Sequence, residues 1–416
     1  MIRIAILSIA AALILTGGTM AVDYHGIIQK IDADKGLVSL RNPTGQEFLL
    51  RVARDLKVFD EAGRALPAGI RAKELHEGVQ ITFKRVRERS EEKEQVGAIF
   101  LGIRKRRFMG DGSALASVGL KPLSEMAAQN LYLGEDGGLY GGGRNEPPPA
   151  HHASARLETA RIEPLDADGR PAKEGRVVLI SISMSNGTQE FSLFKALADA
   201  DPQKSPAVTI VDCAQGSMTM AAWARLRAKP DPWPVALERL EKAGLTPRQV
   251  QVAWIKPANA FPKGDLWEHG TELLEDTRET LQRAKVLFPN LRVAYLSSRI
   301  YAGYGTMGPA GDLNPEPYAY ETAFAVRRLI QEQFRGNAEF NFDPARGAVK
   351  MPLLLWGAYL WADGTNPRRS DGLTWGRQDI SSDGIHPSEK GKQKVADLLL
   401  EFFKNDALAK TCFVKK

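Results

Sequence analysis

The chain reads as an α/β protein with a mostly parallel five-stranded sheet, preceded by a small β-barrel of OB-like or SH3-like kind. Three observations carry that expectation. Beyond Gly175, short apolar runs alternate with amphipathic stretches of helical period. Between Val22 and Arg107 the period is instead that of strands, punctuated by turn residues. Finally, the apolar run Val177 to Ile182 breaks abruptly into Ser183, Met184, Ser185, Asn186, Gly187 and Thr188, the pattern of a buried strand, a tight turn and a helix start.

The expected organisation is a leader over 1–21, the barrel over 22–107, a linker over 108–120 and the α/β domain over 121–416. Arg3, the apolar run Ile4 to Leu15, and Thr19 and Ala21 beyond it have the layout of a cleaved export signal. That run is shorter than the ~20 residues a membrane span needs, so no stable span is expected and the product is exported.

Five segments form the barrel: Gly26–Ile31, Leu37–Arg41, Glu47–Val52, Gly78–Phe83 and Val96–Leu101. Asp34-Lys35-Gly36 and Pro43-Thr44-Gly45 supply turns between them. The next stretch, Met109 to about Asn145, is rich in Gly and small residues, above all from Gly134 to Gly143, yet it also carries Leu120, Leu123, Met126, Leu131, Tyr132, Leu139 and Tyr140. Its first half is expected to link and its second half to pack on the large domain. His151 and His152 follow Pro147-Pro148-Pro149 and suggest a solvated loop.

In the large domain the expected strands are Arg176–Ile182, Ala207–Val211, Val250–Ile255, Arg292–Leu296 and Pro352–Trp356. The expected helices are Phe191–Ala200, Met218–Arg227, Pro234–Ala243, Glu268–Val286, Tyr318–Phe334 and Glu389–Phe403. Pro234 and Pro387 near helix starts and Gly244 beyond a helix end follow capping asymmetry.

Composition narrows the function classes. The 416 residues are 43% hydrophobic and 25% charged, with a formal charge of +6 spread along the chain. The basic clusters at Lys84–Arg89 and Arg104–Arg107 are short and lack an aromatic stacking platform, so no nucleic-acid partner is expected. Cys213 and Cys412, the only 2 cysteines, make no disulfide framework, and their spacing leaves open whether they pair. No Cys/His spacing suits zinc, and neither a metal nor an organic cofactor is expected.

Chemistry gathers at the C-terminus, in Ser382-Asp383-Gly384-Ile385-His386-Pro387 ahead of an amphipathic helix. Asp383 and His386, three apart on a loop, allow the carboxylate to hold one imidazole nitrogen while the other meets a hydroxyl. The bland alternative is a capping Asp and a surface His. Of the 6 histidines, only His386 combines a nearby carboxylate with a loop entering a packed helix. Ser185, beyond a strand's carboxyl end and at a helix start, is the matching nucleophile, with Ser181 and Ser183 as rivals.

These stretches resemble the GDSL/SGNH hydrolases. Asp383-Gly384-Ile385-His386-Pro387 is similar to their last block, and the strand ending at Ser185 to their first, with Ser183-Met184 standing where Gly-Asp is usual. The resemblance covers roughly residues 121–416. It implies a flavodoxin-like three-layer domain and a serine esterase with Ser185 as nucleophile, His386 as base and Asp383 as its orienter. It also implies oxyanion donors, for which Gly216 and Asn259 are the best matches, although Gly216 equally suits a turn and Asn259 a loop cap. Arg299, Tyr301 and Glu190 are candidates to touch substrate, and Tyr359 and Trp361 to stack on a sugar ring. The expected partner is an ester, such as an acylated polysaccharide or glycoside. A glycan-binding protein on the same scaffold, without turnover, is the competing expectation.

Overall fold

The structure is a computed structural model that describes residues 24–41, 47–60, 64–86, 95–101, 115–225, 230–264, 266–305 and 313–415. The expected leader and most of the linker lie outside the described residues, as do Arg87, Arg89 and Arg104–Arg107 of the basic clusters.

Strands β1 (Tyr24–Asp32), β2 (Leu37–Arg41), β3 (Glu47–Phe59), β4 (Gln80–Val86) and β5 (Gln95–Leu101) close into a barrel in the order β1-β2-β3-β5-β4. The β3–β5 pair is parallel and the other pairs antiparallel. β3 runs well past the Val52 end expected from its period. Its first half pairs with β2 and its second with β5, and the register shifts between Val52 and Lys57. Such an irregularity lets one long strand bend around a corner and serve two neighbours. Ile28, Val38, Leu40, Ile81, Phe83 and Ile99 fill the barrel's own core.

The second unit begins with α1 (Pro149–Ala160) and continues as β6 (Val177–Ile182), α2 (Ser185–Ala200), β7 (Val208–Val211), α3 (Met220–Ala224), α4 (Pro232–Lys242) and β8 (Val250–Ile255). It ends with α5 (Leu266–Leu287), β9 (Val293–Leu296), α6 (Tyr318–Phe334), β10 (Leu353–Trp356), α7 (Glu389–Asn405) and α8 (Lys410–Phe413). The sheet order is β10-β9-β8-β6-β7, with every pair parallel. All residues of β6, β8, β9 and β10 are buried. Burial of both faces explains why these strands read as continuous Val/Ile/Leu runs rather than alternating ones. The helices fall into two packed groups, α1, α2, α7 and α8 on one side, and α3, α4, α5 and α6 on the other.

Two stretches differ from expectation. Residues 115–120 belong to the large domain: Leu115 donates its N–H to Gly303, and Val118 donates to Asp363 Oδ1 at 2.8 Å. The proline-rich segment expected as a solvated loop is helix α1, with Pro149 at its first turn, where a missing N–H costs nothing. His151 is buried there, Nε2 2.8 Å from the Leu354 carbonyl. Burial lowers its affinity for a proton, against the pull of that carbonyl.

The glycine-rich segment packs, as its apolar residues imply, and it docks the barrel. Phe59 stacks on Phe100 at 4.8 Å and lies 6.3 Å from Trp267 of α5. A Cβ on Gly134, whose φ is 84°, would stand 2.0 Å from the Phe59 ring. Beside it, Glu135 is bound by Arg327 and Arg328. Burial would raise its pKa, but Arg328, Arg327 and Lys57 outweigh burial and bring it down to about 2.

Candidate active site

β6 is flanked by β7 on one side and β8 on the other, so the chain changes winding direction at this strand. The crevice at such a switch, beyond the strands' carboxyl ends, is where open α/β sheets bind ligands. Ser185 stands there, as the first residue of α2. No protein acceptor takes the N–H of Ser185, Asn186 or Gly187 among the described residues, and Thr188 closes the first turn on the Met184 carbonyl. Gly187 is required by space: a Cβ would lie 2.3 Å from Ser183 Cβ and Oγ.

The Asp383–His386 loop, 201 residues away in sequence, meets this helix start. His386 Nε2 is 2.8 Å from Ser185 Oγ, and Nδ1 is 2.7 Å from Asp383 Oδ2. The remaining Asp383 oxygen accepts the N–H groups of Ile385 and His386 and the Ser381 hydroxyl, at 2.9, 3.0 and 2.9 Å. Burial alone would raise the Asp383 pKa. The backbone N–H groups, the imidazole and the hydroxyl overcome it and hold the carboxyl well below the usual range. An anion so fixed keeps Nδ1 protonated and leaves Nε2 free to accept the serine proton.

Two residues that sequence reasoning passed over join the halves. Asn186 is buried and donates from Nδ2 to the Ile385 carbonyl at 3.1 Å, tying α2 to the loop beside the imidazole. Gly384, at φ 73°, allows the loop to press on its neighbour, since a Cβ would stand 2.3 Å from the Tyr304 carbonyl. An Asn after a candidate serine and a Gly inside D-x-x-H were visible signals, but both also suit a turn.

The rival serines have other partners. Ser181 is buried, donates to Asp212 Oδ1 and accepts the N–H of Cys213 and Ala214. Ser183 is buried and donates to the Lys256 carbonyl at 2.9 Å.

Gly216 is exposed on the loop after β7, and no acceptor for its N–H occurs among the described residues. Its neighbour Ser217 has φ 65°, a conformation that costs a non-glycine residue energy. Asn259 follows β8 but is a structural hub. Its Oδ1 accepts from Ala221 N–H at 2.9 Å and its Nδ2 donates to Asp276 at 2.7 Å. Its backbone meets the Tyr318 hydroxyl and the Asn314 amide. Burial raises Asp276 to about 6, against the Asn259 amide that lowers it.

The structure puts Glu190, Arg299 and Tyr301, expected to touch substrate, in the interior, where Glu190 Oε1 and Arg299 Nε and Nη2 have no hydrogen-bond partner among the described residues. Glu190 pairs with the equally buried Lys256. Burial pushes Lys256 down to about 8, with Glu190 opposing and Arg299 adding to the shift. Arg299 donates to Met184 Sδ, and Tyr301 donates to the Leu115 carbonyl at 2.9 Å. Tyr359 and Trp361 are also core: Tyr359 accepts the Leu123 N–H and Trp361 donates to Glu316. These side chains point inward because apolar strand ends carry their aromatics inward as readily as toward a cleft.

Cys213 is a buried free thiol that does not pair with Cys412, and burial pushes it up to about 12. Among the described residues no group of three or more His, Cys, Asp or Glu is arranged to hold a metal ion, and no helix is long and apolar enough to cross a membrane. His269, in the first turn of α5, is buried with Nε2 2.6 Å from Glu321.

No protein-family model matches the chain, and no curated protein does. Among solved structures, "Crystal structure of Ag(I)CusF" matches at 11% identity and a TM-score of 0.15, covering 20% of this chain and 100% of that one. A likeness at that score carries no argument about fold or function.

Proposed function

We propose that this protein is an exported serine esterase of the GDSL/SGNH type. The observation that carries the reading is the continuous relay from Ser185 Oγ through the His386 imidazole to Asp383, at 2.8 and 2.7 Å. Sheet order supports the flavodoxin-like assignment, and the parallel β3–β5 closure favours an OB-like over an SH3-like barrel.

Ser185 attacks the ester carbonyl while His386 Nε2 takes its proton and then returns it to the leaving alcohol. Asp383 holds the imidazolium formed in between. The donors for the oxyanion are the Ser185 N–H at the α2 start and the Gly216 N–H on the loop after β7, neither with an acceptor among the described residues; each such donor contributes about 3–4 kcal/mol at the transition state. Asn259 supplies a third donor only through the amide hydrogen that Asp276 does not take. Water, deprotonated by His386, then releases the acid. The half-exposed setting of Asp383 and His386 suits a bulky substrate such as an acylated glycan, and the leader expected over 1–21 suits an extracellular one.

The test is labelling with a fluorophosphonate followed by peptide mapping, beside hydrolysis of a short-chain aryl ester. The reading requires the label on Ser185 and its loss in Ser185→Ala. A label on Ser181 or Ser183, or turnover in Ser185→Ala and His386→Ala equal to that of wild type, overturns it. The commitment of Asn259 to Asp276 favours the second reading, glycan binding without turnover. Retention on an insoluble glycan with no labelling at all selects that one.

A further inference from the structure

We infer that Asp212 is a positioning residue for this reaction, holding the two oxyanion donors of the proposed esterase in register; the inference rests on that reading. Asp212 follows β7 directly and opens the loop that carries Gly216. Its carboxylate reaches back across the sheet edge to the serine-bearing helix. Oδ2 accepts the hydroxyls of Thr188 at 2.5 Å and Ser192 at 2.7 Å, while Oδ1 accepts Ser181 Oγ at 2.5 Å and Ala214 N–H at 3.1 Å.

The spacing gives these bonds their meaning. Thr188 and Ser192 are three and seven positions beyond Ser185, on the same helix face, and Thr188 closes the turn that contains the nucleophile. Three hydroxyls and a backbone N–H converge on one carboxylate that has no salt bridge among the described residues. The nearby Arg239 guanidinium instead binds the carbonyls of Asp212 and Ala214 at 2.8 and 2.7 Å, bracing the loop from its other side. Gln215 N–H completes the clasp on the Ser183 carbonyl at 3.1 Å. A negative charge beside the first two turns of α2 also complements the helix dipole.

Asp212 therefore fixes the distance between the Ser185 N–H on the helix and the Gly216 N–H on the loop. A donor pair stabilises the oxyanion only while both point at one spot, and a misplacement near 1 Å costs roughly 10²-fold in rate. The test compares full-length wild type, Asp212→Ala and Asp212→Asn for kcat, KM and pH profile with an aryl ester, and for fluorophosphonate labelling rate. Asp212→Ala should lose about 10²-fold in kcat and labelling rate while KM stays near wild type. Asp212→Asn, which keeps an acceptor in place, should recover part of the loss. The pH midpoint should not move, because the Asp383–His386 pair is untouched.

Should Asp212→Ala fail to fold, Thr188→Val with Ser192→Ala removes the helix tethers and keeps the carboxylate; a kcat drop at constant KM is again expected. Loss of kcat no greater than loss of folded protein, or a shifted pH midpoint, overturns the inference. A labelled wild type with normal Asp212→Ala kinetics overturns the inference alone. An unlabelled wild type overturns the esterase reading and the positioning role with it.

Discussion

The two halves of the candidate site are held by different forces. Ser185 stands at the end of a strand buried along its whole length, on a helix whose start is shaped by Gly187 against Ser183. His386 and Asp383 stand on a loop, with side chains 25% and 47% exposed. Packing positions Ser185, whereas short-range hydrogen bonds around Asp383 position His386. Mutations in the first half should therefore cost stability together with activity, and mutations in the second should cost activity first.

The largest effect is expected where the halves touch. Ser185→Ala or His386→Ala should each lower kcat by about 10⁶-fold, and the double variant should be little worse, because the pair acts as a unit. Additive losses, measured on the same aryl ester, would break the idea of a single relay. Asp383→Asn should follow at about 10⁴-fold, since an amide no longer fixes the imidazole tautomer.

The glycines sharpen the contrast. Gly187→Ala should lower kcat by about 10²-fold and destabilise the fold by about 1–3 kcal/mol, as the added methyl meets Ser183 at 2.3 Å in a packed interior. Gly384→Ala meets the Tyr304 carbonyl at 2.3 Å at positive φ, on a loop outside the helices and strands. It should lose comparable activity with a smaller fall in thermal midpoint; equal falls in both variants would erase the distinction. Asn186→Ala should cost about tenfold in kcat, because it removes only one of the ties on the loop.

The smallest effects are those of pH on stability. The Asp383 pKa is depressed in the fold, so its contribution is complete above the ordinary carboxylate range and disappears only as pH falls through the lower value. Glu316 behaves oppositely. Burial raises it to about 7, against hydrogen bonds from Trp361, Ala302 and Tyr320. Its contribution is present below 4.5 and is lost as pH rises through about 7. Glu316→Gln should flatten the urea midpoint over that window, and an unchanged slope would dispose of the assignment.

Legibility in the sequence followed the same division. The strand before Ser185 was readable because burial on both faces leaves an unbroken apolar run, and helices such as Tyr318–Phe334 because their period is regular. Helix α1 was hidden by its prolines, although Pro149 at the first turn is a start signal rather than a break. The interior fate of Glu190, Arg299 and Tyr301 was not readable, because burial of a polar residue depends on partners that sequence neighbours do not reveal.

By itself the order of residues determined the alternation of elements, the abrupt polar break at Ser185 and the local Asp383–His386 pairing, all of which depend on periodicity or on spacings of a few positions. Only the tertiary structure decided that Ser185 meets His386 across 201 positions, that Asp212 ties the Gly216 loop to α2, and that Asn259 is held by Asp276. Contacts of that range arise from how strands order within the sheet, and strand order is settled by the packing of the whole domain.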